Sequence, residues 1–383
     1  MVRMLVGKLR KKVRADLEAP REMRRIGSGW LSGVAALVTA VAGLCFVLCL
    51  RYPWLLTVPP LRPYYQTVTF RLGLHFLLAA AFTLSALSLA LRRDKILASA
   101  AIGITLLATI LGGSRAQAQG ELTSGAFLGL DWFVLNVIFT GFLFVPLERI
   151  FGRNKEQAVF RQEWREDLFY YLISSLLVQV LTFLSMTPAI ALAAHTHWTM
   201  LRGWVASQPV ILQIVEIMFF TDLVQYWVHR TFHRVPFLWR FHAVHHSARS
   251  LDWMAGARMH FLEIICLRGT TVVPMYLLGF SPLALHAYIL LVYIHSSLIH
   301  ANIRGNFDLL GRFLATPRFH HWHHGIDKEA IDVNFAIHFP LLDRLFGTYH
   351  LPPHEWPTGY GIENHPVPVG YWKQFWYPFS KKR

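Results

Sequence analysis

Six apolar runs, at residues 30–50, 70–91, 96–112, 127–147, 168–194 and about 210–228, leave this chain little choice of solvent. Crossing a bilayer core takes about 20 apolar residues in helix. Each run is near that length, the third being the shortest. A further apolar block, 261–299, is divided by a Gly-Phe-Ser-Pro turn at 279–282. Two helices of about 18 residues there would make a hairpin that returns to the side it left. Composition agrees: 54% of the 383 residues are hydrophobic and 15% are charged, against about a quarter charged in soluble domains. The three cysteines, Cys45 and Cys49 inside an apolar run and Cys266 alone, offer no disulfide framework. The basic stretch ahead of residue 30 is too long for a signal peptide, and no small-residue cleavage site follows the first run, so that run reads as an uncleaved anchor.

The net charge of +15 would point to nucleic acid in a soluble chain. Here nine Lys/Arg fall in the segment ending at Arg25, immediately before the first run. Such a flank orients a spanning helix and meets anionic lipid, so no nucleic-acid partner is expected. Between runs, Arg149, Arg153, Lys155, Arg161 and Arg165 make the fourth loop basic, whereas the third has only Arg115 and the fifth only Arg202. The first two loops do not discriminate. The positive-inside rule then places the N-terminus and the even-numbered loops in the cytoplasm, with the cell inner membrane as the location in a bacterial host.

Thirteen of the twenty histidines lie between His229 and His324. They form four groups. HRTFH gives His229 and His233, spaced i and i+4, so that both rings share a helix face. HAVHH gives His242, His245 and His246; HSSLIH gives His295 and His300; HHWHH gives His320, His323 and His324. In HxxHH the first and fourth residues share a face and the fifth lies beside them, so a triplet can serve one metal ion or split between two. A lone HxxxH pair or a single HxxHH is more often surface or core, but four groups at one membrane face are beyond chance. A structural zinc site needs four ligands; these ten histidines are enough for two ions. Imidazole suits zinc, iron, copper and nickel alike.

The stretch from Asp222 to Tyr349 reads DLVQYWVHRTFH, LWRFHAVHHS, IHAN, TPRFHHWHH and DVNFAIHFPLLDRLFGT. In these motifs the chain resembles the membrane-bound fatty acid hydroxylase/sterol desaturase superfamily, over roughly a third of its length. The resemblance implies a helical membrane bundle beneath a cytosolic histidine-lined dimetal site that activates O2. It implies two iron ions per chain, held by His229, His233, His242, His245, His246, His300, His320, His323 and His324, with His295 as a tenth. His260, in ARMHFLE, matches a position often occupied by His in the sterol-oxidase branch, and His321 would point away. Family members often carry NYG and WD near the end. Here those positions read Asn334-Phe335-Ala336 and Leu342-Asp343, a departure that bears on substrate class and removes no ligand.

The expected reaction is O2-dependent hydroxylation of a lipid C–H bond, an oxidoreductase chemistry that needs a redox metal. Desaturation at the same site is the alternative. A histidine-lined metal transporter or sensor is the competing class. A transporter, however, places ligands near the midplane of several spans, and His75 and His286 are isolated within their runs. No GxGxxG, Walker or haem-attachment motif is present, so electrons must come from a separate ferredoxin, flavoprotein reductase or cytochrome b5. A ligating His usually donates its second N–H to an acceptor. Asp222, two turns before His229 inside a membrane segment, is the leading candidate for such a role, its competing reading being a salt bridge with Arg230. Asn302 and Asn334 join it as candidate catalytic residues, with Asp252, Asp332 and Asp343 behind them. The reading is therefore all-α: a polytopic transmembrane bundle with a cytosolic histidine-rich cap holding a dimetal site. Its expected divisions are a basic segment 1–29, an N-terminal bundle 30–150 of about four spans, a catalytic region 160–350 and a cytosolic tail 351–383.

Overall fold

The computed structural model describes residues 2–120, 125–305 and 307–380. Among these residues every regular element is helical, apart from two isolated β-bridges, Gly152 with Ile303 and Gly325 with Tyr360. The chain divides into two compact units. One comprises Met1–Asn136, Ala158–Arg161 and Ser175–Gln179; the other comprises Val137–Gln157, Gln162–Ser174 and Val180–Arg383.

The first unit opens with α1 (Val2–Leu17), followed by α2 (Trp30–Arg51), α3 (Val68–Leu91) and α4 (Ile96–Ile110). Helices α2, α3 and α4 pack on one another. Lipid tails are as apolar as leucine, so close approach through small side chains must drive this association. Ala36, Ala40, Ala81 and Ala101 form a fully buried cluster. A Cβ on Gly33 would stand 2.7 Å from Ser88 Oγ, and one on Gly43 would stand 2.6 Å from Leu78 Cδ2. Polar groups tie the ends. Buried Arg92 pairs with buried Asp16, and the Asp131 carboxylate accepts from the Val58 amide at 3.1 Å and the Tyr65 hydroxyl at 3.2 Å.

Six of the expected apolar segments, counting both arms of the hairpin, form unbroken helices of 18 to 25 residues, and the shortest run is lengthened to 20 by a turn ending at Arg115. The fourth is α5 (Leu130–Phe151). The fifth run departs from expectation. It is a helix pair, α6 (Trp164–Leu176) and α7 (Val178–Ala194), bent by 64°. Three residues before the break, the Ser174 hydroxyl donates back to the Tyr170 carbonyl at 2.7 Å. With this pair counted as one span beside the seven unbroken helices, up to eight segments are long and apolar enough to cross a membrane.

In the second unit the sixth run becomes α8 (Val210–Arg234), which continues past the expected end and carries His229 and His233 on its last turns. It packs against α9 (Pro236–His246), α10 (Phe261–Leu278) and α11 (Pro282–His300), and α11 packs against α12 (Pro317–His323). The hairpin turns where Gly279 takes φ +74°, which an L side chain resists. Ser281 then caps α11 by accepting from the Ala284 amide at 3.4 Å, with Pro282 in the first turn. Thr316 and Pro317 start α12 in the same way. These caps fix where the helices that carry the last two histidine groups begin. The tail folds back into a short helix, α13 (Tyr371–Trp376), held by the Tyr170 hydroxyl donating to Gln374 at 3.0 Å.

Candidate metal centre

Nine histidines converge in two groups: His229, His233, His242, His246 and His323, and beside them His245, His300, His320 and His324. Within each group, one ring nitrogen from every member lies within 4.8 Å of the others. The two HxxHH triplets are divided in mirrored fashion. His242 and His246, one turn apart on α9, enter the first group while His245 enters the second. His320 and His324 enter the second group while His323 enters the first. The groups abut, with the rings of His246 and His324 stacked at 4.4 Å between centroids.

The second nitrogens decide what these groups can hold. The Nδ1–H of His229 donates to the Phe335 carbonyl at 2.8 Å, and that of His242 donates to the Glu263 carboxylate. Those protons leave both Nε2 atoms bare, and the two bare atoms face each other at 2.9 Å. In the second group, His245 donates to the Arg258 carbonyl at 3.0 Å and His300 to the Ser296 carbonyl at 2.7 Å. Their Nε2 atoms likewise face each other, at 3.4 Å. Nε2 of His323, whose Nδ1–H donates to the Val333 carbonyl at 2.8 Å, is buried with no hydrogen-bond partner, as is Nε2 of His233. Buried lone pairs pointed at one another are costly unless a cation lies between them. Metal–imidazole bonds of about 2.0–2.1 Å imply nitrogen separations of roughly 2.9–3.4 Å around one ion. The residues present therefore fit two metal ions.

Burial keeps the imidazoles ready to ligate. For His242, His245, His246, His320, His323 and His324, which lie outside the spanning helices, desolvation first and neighbouring histidines second hold the pKa well below the usual value. They are neutral at pH 7, the form that binds metal. Support is unequal. In the first group two rings rest on carboxylates, His242 on Glu263 and His233 on Asp332 at 3.3 Å. The hydrogen bond from His233 is the main cause holding the Asp332 carboxyl below its usual pKa. In the second group, the rings of His245 and His300 rest on backbone carbonyls.

His295 stays outside both groups. It lies five residues before His300, which on an α-helix turns a side chain by roughly 140° from its neighbour. Its Nε2–H donates to the Ala315 carbonyl at 2.9 Å, and its Nδ1 faces Nδ1 of His338 at 3.3 Å. His260 caps α10 and donates to the Phe375 carbonyl at 3.0 Å. The three residues expected to be catalytic bond elsewhere than the histidine groups. Asp222 accepts from the amides of Ile337, His338 and Phe339 at 2.8, 3.1 and 2.7 Å, rather than pairing with His229 or Arg230. Asn334 donates to the carbonyls of Phe319 and His350 and accepts from the His350 amide. Asn302 is joined to the backbone of Asn154 by two bonds. Asp343 accepts from the amides of Phe335 and Ala336. Asp222, Asn334 and Asp343 thus brace the loop whose carbonyls, at Val333 and Phe335, orient His323 and His229. Asp252 accepts from the Met254 amide at 3.0 Å. Glu263 and His338 escaped the sequence reading. A carboxylate in the first turn of an apolar helix was the available signal for Glu263.

A family model for fatty acid hydroxylase matches residues 214–348, a stretch that contains all nine clustered histidines. Residues 214–348 form a fatty acid hydroxylase domain. The chain is similar to an ornithine lipid hydroxylase of Rhizobium tropici, 29% identical over 66% of this chain and 77% of that protein. It is similar also to the human alkylglycerol monooxygenase, 29% identical over 38% of this chain and 32% of the relative. A very-long-chain aldehyde decarbonylase of rice is 26% identical over 38% of this chain and 47% of that protein. The chain thus spans about a third of the human relative's length and half of the rice one's. No solved structure matches. Over residues 214–348 the chain thus matches the fatty acid hydroxylase family, and the relatives named include a lipid hydroxylase and a monooxygenase, both oxidoreductases.

Proposed function

We propose that this protein hydroxylates a C–H bond of a polar membrane lipid, using two iron ions held by the nine clustered histidines, O2, and electrons from a separate carrier. The observation that carries this reading is the convergence of bare, buried Nε2 atoms in two adjoining groups. Reduced iron with O2 supplies the oxidising power that an unactivated C–H bond requires and that side chains lack. One oxygen atom enters the lipid as hydroxyl, and the other leaves as water with two electrons and two protons. The chain's own residues hold and orient. Glu263 and Asp332 fix the rings of His242 and His233, while Asp222, Asn334 and Asp343 fix the loop behind His229 and His323. The spans α8 and α11 end at the histidines, so an acyl chain reaches the centre without leaving hydrocarbon. A polar headgroup then stays at the interface, as an aminolipid of the kind named for the Rhizobium relative requires. The N-terminus and the histidine groups face the cytoplasm, where basic loops and electron carriers are found.

Comparative lipid mass spectrometry under 18O2 tests this reading, with cells expressing the wild type set against a His245→Ala, His246→Ala variant. A lipid carrying one 18O atom in wild-type cells alone is the expected result and names the substrate. Loss of two hydrogens without label would make the enzyme a desaturase. Identical lipidomes together with protein that binds no iron would overturn the oxygenase reading.

A further inference from the structure

His321 is the one histidine of the HHWHH motif that joins neither group, yet it is buried and fully bonded. Its Nδ1 accepts from the Tyr360 hydroxyl at 2.7 Å, and its Nε2–H donates to the His300 carbonyl at 3.3 Å. Its ring lies 5.3 Å from that of Trp356 and 5.2 Å from that of Tyr360. Both aromatic rings are half-buried, and the Arg153 guanidinium covers them, 4.8 Å from the Trp356 centroid and 5.5 Å from that of Tyr360. Arg153 also donates to the Tyr360 hydroxyl and, at 2.8 Å, to the Pro357 carbonyl. A continuous run of conjugated rings therefore leads from a half-exposed guanidinium to the peptide of His320 and the carbonyl of His300, two members of the second group.

The surroundings are basic. Arg149 and Lys155 are exposed on the same segment, and exposed Arg304 is brought alongside by its amide, which donates to the Phe151 carbonyl at 2.7 Å. The acidic side chains nearby are exposed Glu156 and Glu355, Asp327, whose carboxylate is taken up by Thr358, and Glu148, whose carboxylate accepts from the Trp253 and Asn302 amides. Arg149, Arg153, Lys155 and Arg304 on and beside the segment that covers two half-buried aromatic rings make a small surface with an apolar centre and a charged rim, the pattern of a transient docking site.

We propose that the corner formed by Arg153, Trp356, Tyr360 and His321 is where an acidic one-electron carrier protein docks and passes electrons to the metal centre. This inference rests on the oxygenase reading above. In each event the carrier is oxidised by one electron and the metal pair gains it; two events serve one turnover. The rings act by orbital overlap, with no bond formed or broken in them.

The test uses full-length, iron-loaded protein in nanodiscs of zwitterionic lipid, with a reduced acidic plant-type ferredoxin as carrier and dithionite as a small diffusible reductant. Carrier affinity and anaerobic reoxidation of the ferredoxin by stopped flow are the readouts. An Arg153→Ala, Lys155→Ala variant should bind ferredoxin about tenfold more weakly at low salt, a difference that fades as salt rises. Tyr360→Phe, which breaks the hydroxyl bond to His321, should keep the affinity and slow electron transfer at saturating ferredoxin by a comparable factor, and Trp356→Leu should slow it as much while also weakening the affinity. Reduction by dithionite should be unchanged in every variant, which a merely misfolded centre would not allow. Unchanged ferredoxin affinity and rate in these variants overturn the proposal. So does a wild type that dithionite reduces and ferredoxin does not. A wild type that binds no iron refutes the oxygenase reading instead, and ferredoxin affinity, measured on the same protein, still decides whether the corner is a docking site.

Discussion

Glu263 shows how much one side chain does for this centre. It is 1% exposed, and it takes the Nδ1 proton of His242 so that Nε2 is free for a metal. Removing such a partner typically lowers metal affinity by about 10–100-fold. Glu263→Gln should therefore lose iron to a chelator within that range while His242 remains in place, measured as bound iron against chelator concentration. Asp222 acts at a greater remove. Its carboxylate takes three amide protons from Ile337, His338 and Phe339, and a buried amide left unpaired costs about 1–3 kcal/mol. Asp222→Ala should lower unfolding stability by at least about 2 kcal/mol in denaturant titration, with Asp222→Asn intermediate. The residue was conspicuous in the sequence because a carboxylate within an apolar run needs a partner. Its partners were not, because they are backbone amides more than a hundred positions away, supplied by a loop with no pattern of its own.

The helices sort the histidines by pitch. Residues i and i+4 of each HxxHH go to one group and the i+3 residue to the other, a division that the spacing allowed and that only the packing of α9 on α8 and of α12 on α11 could decide. The apolar runs and the four histidine motifs were legible because hydropathy and the 3.6-residue period are local. The break between α6 and α7 was not, since the apolar run continues across it, nor were the partners of His295, the Ala315 carbonyl and His338, which come from other segments. Close approach between elements gives a further expectation. A Cβ on Gly256 would stand 3.0 Å from Nδ1 of His300, whose ring is already fixed by the Ser296 carbonyl. Gly256→Ala should displace that ring and lower iron occupancy toward one ion per chain, read by elemental analysis. Acid should act on the same elements. The buried imidazoles of α9 and α12 titrate far below the usual value, while those of the unfolded chain titrate near about 6.5. Below that pH the unfolded state binds more protons, so stability falls as pH falls and is unaffected above it. Thermal melts of iron-free protein should show a melting temperature that is flat from about pH 7 upward and that drops steadily between about pH 6.5 and 5.

At the scale of the molecule, seven helices and one bent pair among the described residues supply enough apolar length to hold the protein in a bilayer. The second unit gathers its histidines from four helices, the adjoining pair α8 and α9 and the later α11 and α12, spread over more than a hundred residues. Such a site forms only when the bundle has closed, which is why it needs carboxylate and carbonyl partners to hold each ring. Lipid hydroxylation at this centre requires two irons sharing this one site. Anaerobic loading of the purified chain with 57Fe, followed by Mössbauer spectroscopy of the oxidised protein, measures it directly. Two irons per chain in a single magnetically coupled pair is the expected result. Isolated ferric ions, or a chain that retains no iron while remaining folded, would contradict it.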